Sequence, residues 1–219
     1  MTFNFNSELY AAPNVVEGVD YARRHRRHER FDDTQARTDD VPKTTILAPH
    51  GGGIEPGTSE LCLAVAGYHP ANLPQIPPAG VTYDYWMLEG LRDRDNAGLH
   101  VTSIGCDDGV AVSLCASSLN ALALHGFRPE PPDMSETDQV VLVGGCNTTL
   151  RGYLVEGLCK ADFDARDAGG HGELDGTAKC NIVNRTLLGM GAQLELSTPL
   201  RDAMFTEHSR SRRKHTTTG

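Results

Sequence analysis

From residue 41 onward the chain alternates short apolar runs with stretches of helical spacing. Residues 44–48 read as a buried strand, and 58–68 as a helix whose apolar face holds Leu61, Cys62 and Val65. A proline-rich loop over 69–78 precedes two further runs, 83–88 and 100–104, that read as strands. Residues 107–117 predict a helix with acids in its first turn, where the peptide dipoles favour negative charge. An apolar run covers 119–125, and 140–144 is another buried strand. Leu150, Leu154 and Leu158 recur at helical spacing and predict a helix over 148–160. A late strand, 193–197, leads into a short helix from Pro199. Strands alternating with helices of this size predict an α/β fold: a single domain with a mixed central sheet flanked by helices on both faces.

The domain is expected to span 1–209, with an irregular stretch over 1–18, and 210–219 to form a disordered basic tail. The formal charge of −9 is unevenly spread. Residues 1–30 sum to +1 and 210–219 to +4, leaving −14 on 31–209. The run VDYARRHRRHER over 19–30 is basic enough to touch phosphate backbones. The favoured reading is a solvated edge strand or helix face, since cationic side chains on a strand edge discourage edge-to-edge pairing. The acidic middle weighs against a nucleic-acid partner. No apolar run approaches the roughly 18 residues of a membrane span. The first residues, MTFNFNSELYAAP, show neither the basic nor the apolar region of a signal peptide. A cytoplasmic location, or release by lysis, is therefore expected. Six cysteines with no C-x-x-C pair read as buried free thiols rather than as a zinc site.

Candidate chemistry gathers around the first clear strand, whose end delivers His50, three glycines and Glu55 in APHGGGIE. A glycine run after a strand also forms the oxyanion loop of serine esterases, but the G-x-S-x-G elbow those enzymes need is missing. The phosphate-binding patterns G-x-x-x-x-G-K-[ST] and G-x-G-x-x-G are missing too. HERFD over 28–32 begins like H-E-x-x-H, yet position 32 is Asp. Two more residues raise the metal reading. His125 ends the apolar run ALALH and precedes Gly126, as suits a side chain delivered at a strand terminus. Glu195 lies inside AQLEL, an acid where a core strand should be apolar, and a buried carboxylate is costly unless paired or functional. His50, Glu55 and His125 would form a two-His, one-carboxylate zinc set with an open position, and Glu195 the nearby general base.

The blocks APHGGGIEPGTSEL (48–61), LHVTSIGCDD (99–108), LHGF (124–127), LVGGCNTTLR (142–151) and NIVNRTLLGMGAQLEL (181–196) resemble, in order, the phage and bacterial poly-γ-glutamate hydrolase family. The resemblance implies a zinc-carboxypeptidase-like fold, one Zn2+ ion and hydrolysis of γ-glutamyl amide bonds. It places the family's metal ligands on His50, Glu55 and His125, its catalytic glutamate on Glu195, and its first strand on the basic run.

A polyglutamate substrate carries free carboxylates and needs cations. Arg185 and Arg201, on either side of the Glu195 run, are the candidates, ahead of Arg151. His100, Ser103, Asn181 and Asn184 are expected to line or orient the site, with His171 as a further loop contact. The acidic middle opposes a polyanion at long range, although salt screens that repulsion beyond about 8–10 Å. A short γ-glutamyl compound therefore competes with the polymer as substrate. Two alternatives stand beside the γ-glutamyl hydrolase: a zinc carboxypeptidase or amidase on another peptide or cell-wall substrate, and a nucleic-acid-binding accessory protein using the basic termini. The chain is expected to work as a monomer.

Overall fold

The computed structural model describes residues 3–28, 44–74, 82–130 and 134–218. Residues 29–32 of the HERFD stretch and 75–78 of the proline-rich loop lie outside the described residues. Seven strands form one sheet: β1 (Tyr21–Arg26), β2 (Thr44–Gly52), β3 (Asp84–Gly90), β4 (Asn120–Phe127), β5 (Val140–Gly144), β6 (Asp164–Asp167) and β7 (Ala192–Ser197). Their order is β1-β3-β2-β4-β7-β5-β6. The central pairs β3/β2, β2/β4 and β4/β7 are parallel, as is β5/β6, while β1/β3 and β5/β7 are antiparallel. The sheet is mixed, as the pattern predicts.

Alternation along each strand divides the core between two faces. Ile46, Ala48, Leu122, Leu124, Leu194 and Leu196 face one cluster with α2 (Thr58–Val65), α4 (Thr148–Lys160) and α5 (Thr198–Ala203). Leu47, Trp86, Leu88, Ala121 and Ala123 face the other, under α1 (Asn6–Ala11) and α3 (Gly109–Ala116). Asp108 caps α3 by accepting hydrogen bonds from the Val110 and Ala111 amides, which places the acid at the helix start for a local reason.

Several expectations are corrected. Residues 100–104 are not a strand but lead into a short 3-10 turn, Ser103–Gly105, closed by Thr102. The basic run, by contrast, is the edge strand β1 as its solvated-edge reading expects, with Arg23 held by Glu17 and Asp108 and Arg24 by Glu89. The opposite edge, β6, has no counterpart in the sequence reading, because only Ala165 of its four residues is buried. The thiols are unpaired, but Cys159 and Cys180 are exposed rather than buried. Residues 1–18 include α1, which buries Leu9. Residues 210–218, expected to be disordered, include α6 (Arg210–Arg213) and an isolated bridge between Phe205 and Thr217. Arg213 is buried against Glu60 at 3.3 Å and donates to the Gly52 carbonyl at 2.8 Å.

Candidate functional site

The site lies at the C-terminal ends of the three parallel strands β2, β4 and β7. The first break in regularity is in β2. Ala48 pairs with Met87 and Gly51 with Glu89, so Pro49 and His50 together oppose Leu88. This bulge re-aims the His50 side chain, and a proline there forfeits no ladder bond that a regular strand would need. The glycines that follow answer to packing. Gly52 has φ +66°, and a Cβ on Gly53 would lie 2.4 Å from the Asn96 amide. The chain then turns into α2, with the Glu55 amide donating to the His50 carbonyl at 2.8 Å.

Both imidazoles are held from behind. His50 Nε2 lies 2.7 Å from the Val101 carbonyl oxygen, which accepts only, so this nitrogen is the donor. His125 Nε2 lies 3.1 Å from Ser103 Oγ. The two Nδ1 atoms consequently face each other at 3.1 Å. Glu55 closes the group: Oε1 is 2.8 Å from His50 Nδ1, and Oε2 is 3.7 Å from His125 Nδ1. The Gly126 amide donates to Oε2 at 2.8 Å, fixing the carboxylate's rotation. His50 Nδ1 and the Glu55 carboxylate turn lone pairs into this group, and His125 Nδ1 does the same in the tautomer that donates from Nε2 to Ser103 Oγ, an arrangement suited to a cation among them. Zinc–nitrogen bonds of about 2.0–2.1 Å in a tetrahedron put ligand atoms about 3.3 Å apart, and the observed separations bracket that value. The residues fit a zinc ion.

His100 also enters the group, which the sequence gives only a lining role. Its ring centroid lies 3.9 Å from that of His50, its Nε2 is 3.8 Å from Glu55 Oε1, and one donor atom each from His50, Glu55 and His100 fit within 4.8 Å. Burial pushes His100 down to about 4, with His50 adding to the effect, so the ring is neutral and available as a donor at neutral pH. Burial alone would raise Glu55, but the adjacent His50 and His125 outweigh it and hold this carboxyl well below the usual carboxylate range. Burial likewise opposes charge on His125, yet the facing Glu195 and Glu55 raise it.

Glu195 pairs with His125 across the β4–β7 ladder, and parallel partners project to the same face. It is buried, and burial raises its pKa, with His125 offsetting only part. Gln193 Nε2 donates to Glu195 Oε1 at 2.9 Å and to the Leu174 carbonyl at 3.2 Å, while Asn181 Nδ2 donates to Gln193 Oε1 at 3.0 Å. Asn181 thus stands one residue behind the carboxylate. Gln193 was not singled out in the sequence, although its place two residues before Glu195 puts it on the same strand face. Asn184 holds the surrounding loop, donating to the carbonyls of Gly176 and Ala178 and accepting from Cys146 and Gly191. Arg185 is exposed and donates to the Cys106 carbonyl. Arg201 is buried and bonded to the Leu196 and Pro56 carbonyls and Thr198 Oγ1. Arg151 lies on α4 against Asp167. His171 precedes the turn Gly172–Asp175.

A family profile described as poly-gamma-glutamate hydrolase matches residues 21–219. The chain belongs to this family. Curated relatives from Bacillus subtilis (strain 168) include the SPbeta prophage-derived protein YoqZ, 33% identical over 77% of this chain and 54% of its own length. YndL is 31% identical over 73% of this chain and 55% of its own. The chain thus spans about half the length of these two relatives. Among solved structures, a bacteriophage poly-gamma-glutamate hydrolase superposes with TM-score 0.76 and 28% identity, covering 99% of this chain and 88% of that one. A structure described as YNDL-apo (zinc-free) superposes with TM-score 0.72 and 28% identity, covering 91% and 82%.

Proposed function

We propose that this chain is a zinc-dependent hydrolase of γ-glutamyl amide bonds, acting on poly-γ-glutamate. The observation that carries the reading is the facing pair of Nδ1 atoms of His50 and His125 at 3.1 Å, with the Glu55 carboxylate beside both. His50, Glu55 and His125 would hold the ion, with His100 at its flank. When bound, zinc there supplies Lewis acidity that polarises a carbonyl and brings the pKa of water from 15.7 to about 7. Glu195 takes a proton from the attacking water and returns it to the departing amine. Its raised pKa suits that return, since a carboxyl poised nearer neutrality gives up and regains a proton with less bias. Gln193 holds the Glu195 Oε1 atom, leaving Oε2 for the water. Arg185, exposed and held by the Cys106 carbonyl, is the cation offered to substrate carboxylates. Ser103 fixes the His125 ring, and Asn181 and Asn184 hold the wall of the site rather than touch substrate.

The test is the chain length of poly-γ-glutamate over time, with zinc-loaded protein and with protein stripped by chelator. Shortening only in the loaded sample supports the reading. No shortening of the polymer, with cleavage of short γ-glutamyl peptides or of unrelated amides, would move the substrate elsewhere, as the acidic surface at 31–209 favours.

A further inference from the structure

Arg201 carries a positive charge into the protein interior without a carboxylate in salt-bridge range among the described residues. It is 6% exposed. A buried charge costs several kcal/mol unless its hydrogens are satisfied, and three acceptors answer here. Nη1 donates to the Pro56 carbonyl at 2.7 Å, Nε to the Leu196 carbonyl at 3.1 Å, and Nη2 to Thr198 Oγ1 at 2.9 Å.

The identity of those acceptors matters more than their number. Pro56 follows Glu55, and Leu196 follows Glu195. The guanidinium also lies flat on Gly126, the residue after His125: a Cβ there would sit 2.5 Å from both Arg201 Cζ and Nε. Gly126 in turn donates its amide to Glu55 Oε2. One rigid planar group therefore touches the residue after each of three side chains that the reading above places in the site.

We propose that Arg201 is a positioning residue, a clamp behind the site that fixes Glu55, His125 and Glu195 relative to one another, and not a contact for substrate carboxylates. The inference rests on the zinc hydrolase reading for its consequences, though its geometry stands without it. Planarity is essential to the role. An ammonium on a flexible stem is a point charge and cannot reproduce three divergent bonds from one fixed plane. Gly126 is required for the same reason, since any side chain there would displace the guanidinium.

Two variants test the clamp. Arg201→Lys keeps the charge and loses the fork. Thr198→Val removes one acceptor, along with the Thr198 Oγ1 bond to the Phe127 carbonyl at 3.1 Å, and leaves the guanidinium in place. The first readout needs no metal: amide hydrogen exchange at Gly126 in the zinc-free protein. It is expected to accelerate in both variants, more in Arg201→Lys, as the Gly126–Glu55 bond loosens. Exchange at the wild-type rate in both overturns the clamp, whether or not the protein binds zinc. The second readout is zinc affinity by chelator competition. Outer partners of metal ligands typically cost about 10–100-fold on removal, and Arg201→Lys is expected to weaken zinc within that range, with kcat falling on a neutral γ-glutamyl amide as much as on the polymer. Unchanged zinc affinity with a raised KM on the polymer alone would make Arg201 a substrate contact and overturn the proposal. A wild type that binds no zinc would count against the hydrolase reading, and the exchange result would still decide the clamp.

Discussion

His125 and Glu195 are directly paired residues of adjacent parallel strands, His125 on β4 and Glu195 on β7. Neighbouring strands lie about 4.8 Å apart, so the sheet itself sets the distance between the proposed ligand and the proposed base. Loop motion cannot easily alter it. The two residues nevertheless have separable roles, and single substitutions should separate them.

His50→Ala and His125→Ala are each expected to abolish stoichiometric zinc binding, measured by metal analysis after dialysis. His100→Ala should weaken binding less. His100 is partly exposed and lies tilted against His50, while His50 and His125 are buried and oriented by Val101 and Ser103. Equal loss from all three would make His100 a ligand of the same rank.

Burial lifts the Glu195 carboxyl above its ordinary value of 4.5, and His125 compensates only in part. A carboxyl raised on folding contributes stability below its unfolded pKa and loses it as pH rises through the folded pKa. Zinc-free Glu195→Gln, which never ionises and keeps an acceptor for Gln193, should melt above zinc-free wild type at pH 7. In a domain of this size about 1 kcal/mol shifts the melting temperature by roughly 2–4 °C. The difference should shrink to nothing as pH falls below about 4.5. A lower melting point at pH 7 would mean that the ionised carboxylate is satisfied in the folded protein.

The buried pair of Arg213 and Glu60 ties the C-terminal helix to the glycine loop. Arg213→Ala strands Glu60, whose pKa burial already raises and whose Oε2 has no hydrogen-bond partner among the described residues. Removing one member of a buried pair costs about 3–5 kcal/mol, to be read from urea unfolding at pH 7. Arg213→Met combined with Glu60→Leu should cost much less, because no lone charge remains. Equal costs for the single and the double would show that shape, not charge, holds the tail.

Arg185 is exposed and donates to the Cys106 carbonyl, and a carboxylate-binding role predicts a raised KM for poly-γ-glutamate in Arg185→Ala with kcat little changed. Steady-state kinetics on the polymer and on a neutral γ-glutamyl amide checks this. A KM effect on both substrates alike would remove Arg185 from carboxylate recognition.

Elements with a strong period were legible in the chain. The helix from 148 to 160 follows from three leucines at helical spacing, and the buried strand at 140–144 from an unbroken apolar run. What hid was structure with little to bury. The edge strand β6 covers one alanine, and the 3-10 turn at 103–105 begins in an apolar stretch, HVTSI, that mimics a strand. The site divides the same way. His50, Glu55, His125 and Glu195 announce themselves as polar residues at strand ends or within apolar strands. His100 and Arg201 stand out only in other roles, as a lining residue and a substrate cation, because one joins through a loop fold and the other through the backbone carbonyls of distant residues, and neither contact leaves a spacing in the sequence. The tail reads as polar and basic, and nothing local says that one of its arginines finds a buried glutamate 153 residues away.

The most direct test of the account is Glu195→Gln measured for zinc and turnover on the same sample. A zinc site built from His50, Glu55 and His125, with Glu195 as base, predicts one bound zinc as in wild type and a loss of about 10²–10⁴-fold in poly-γ-glutamate cleavage. Wild-type turnover in that variant, or loss of the zinc along with the activity, would contradict it.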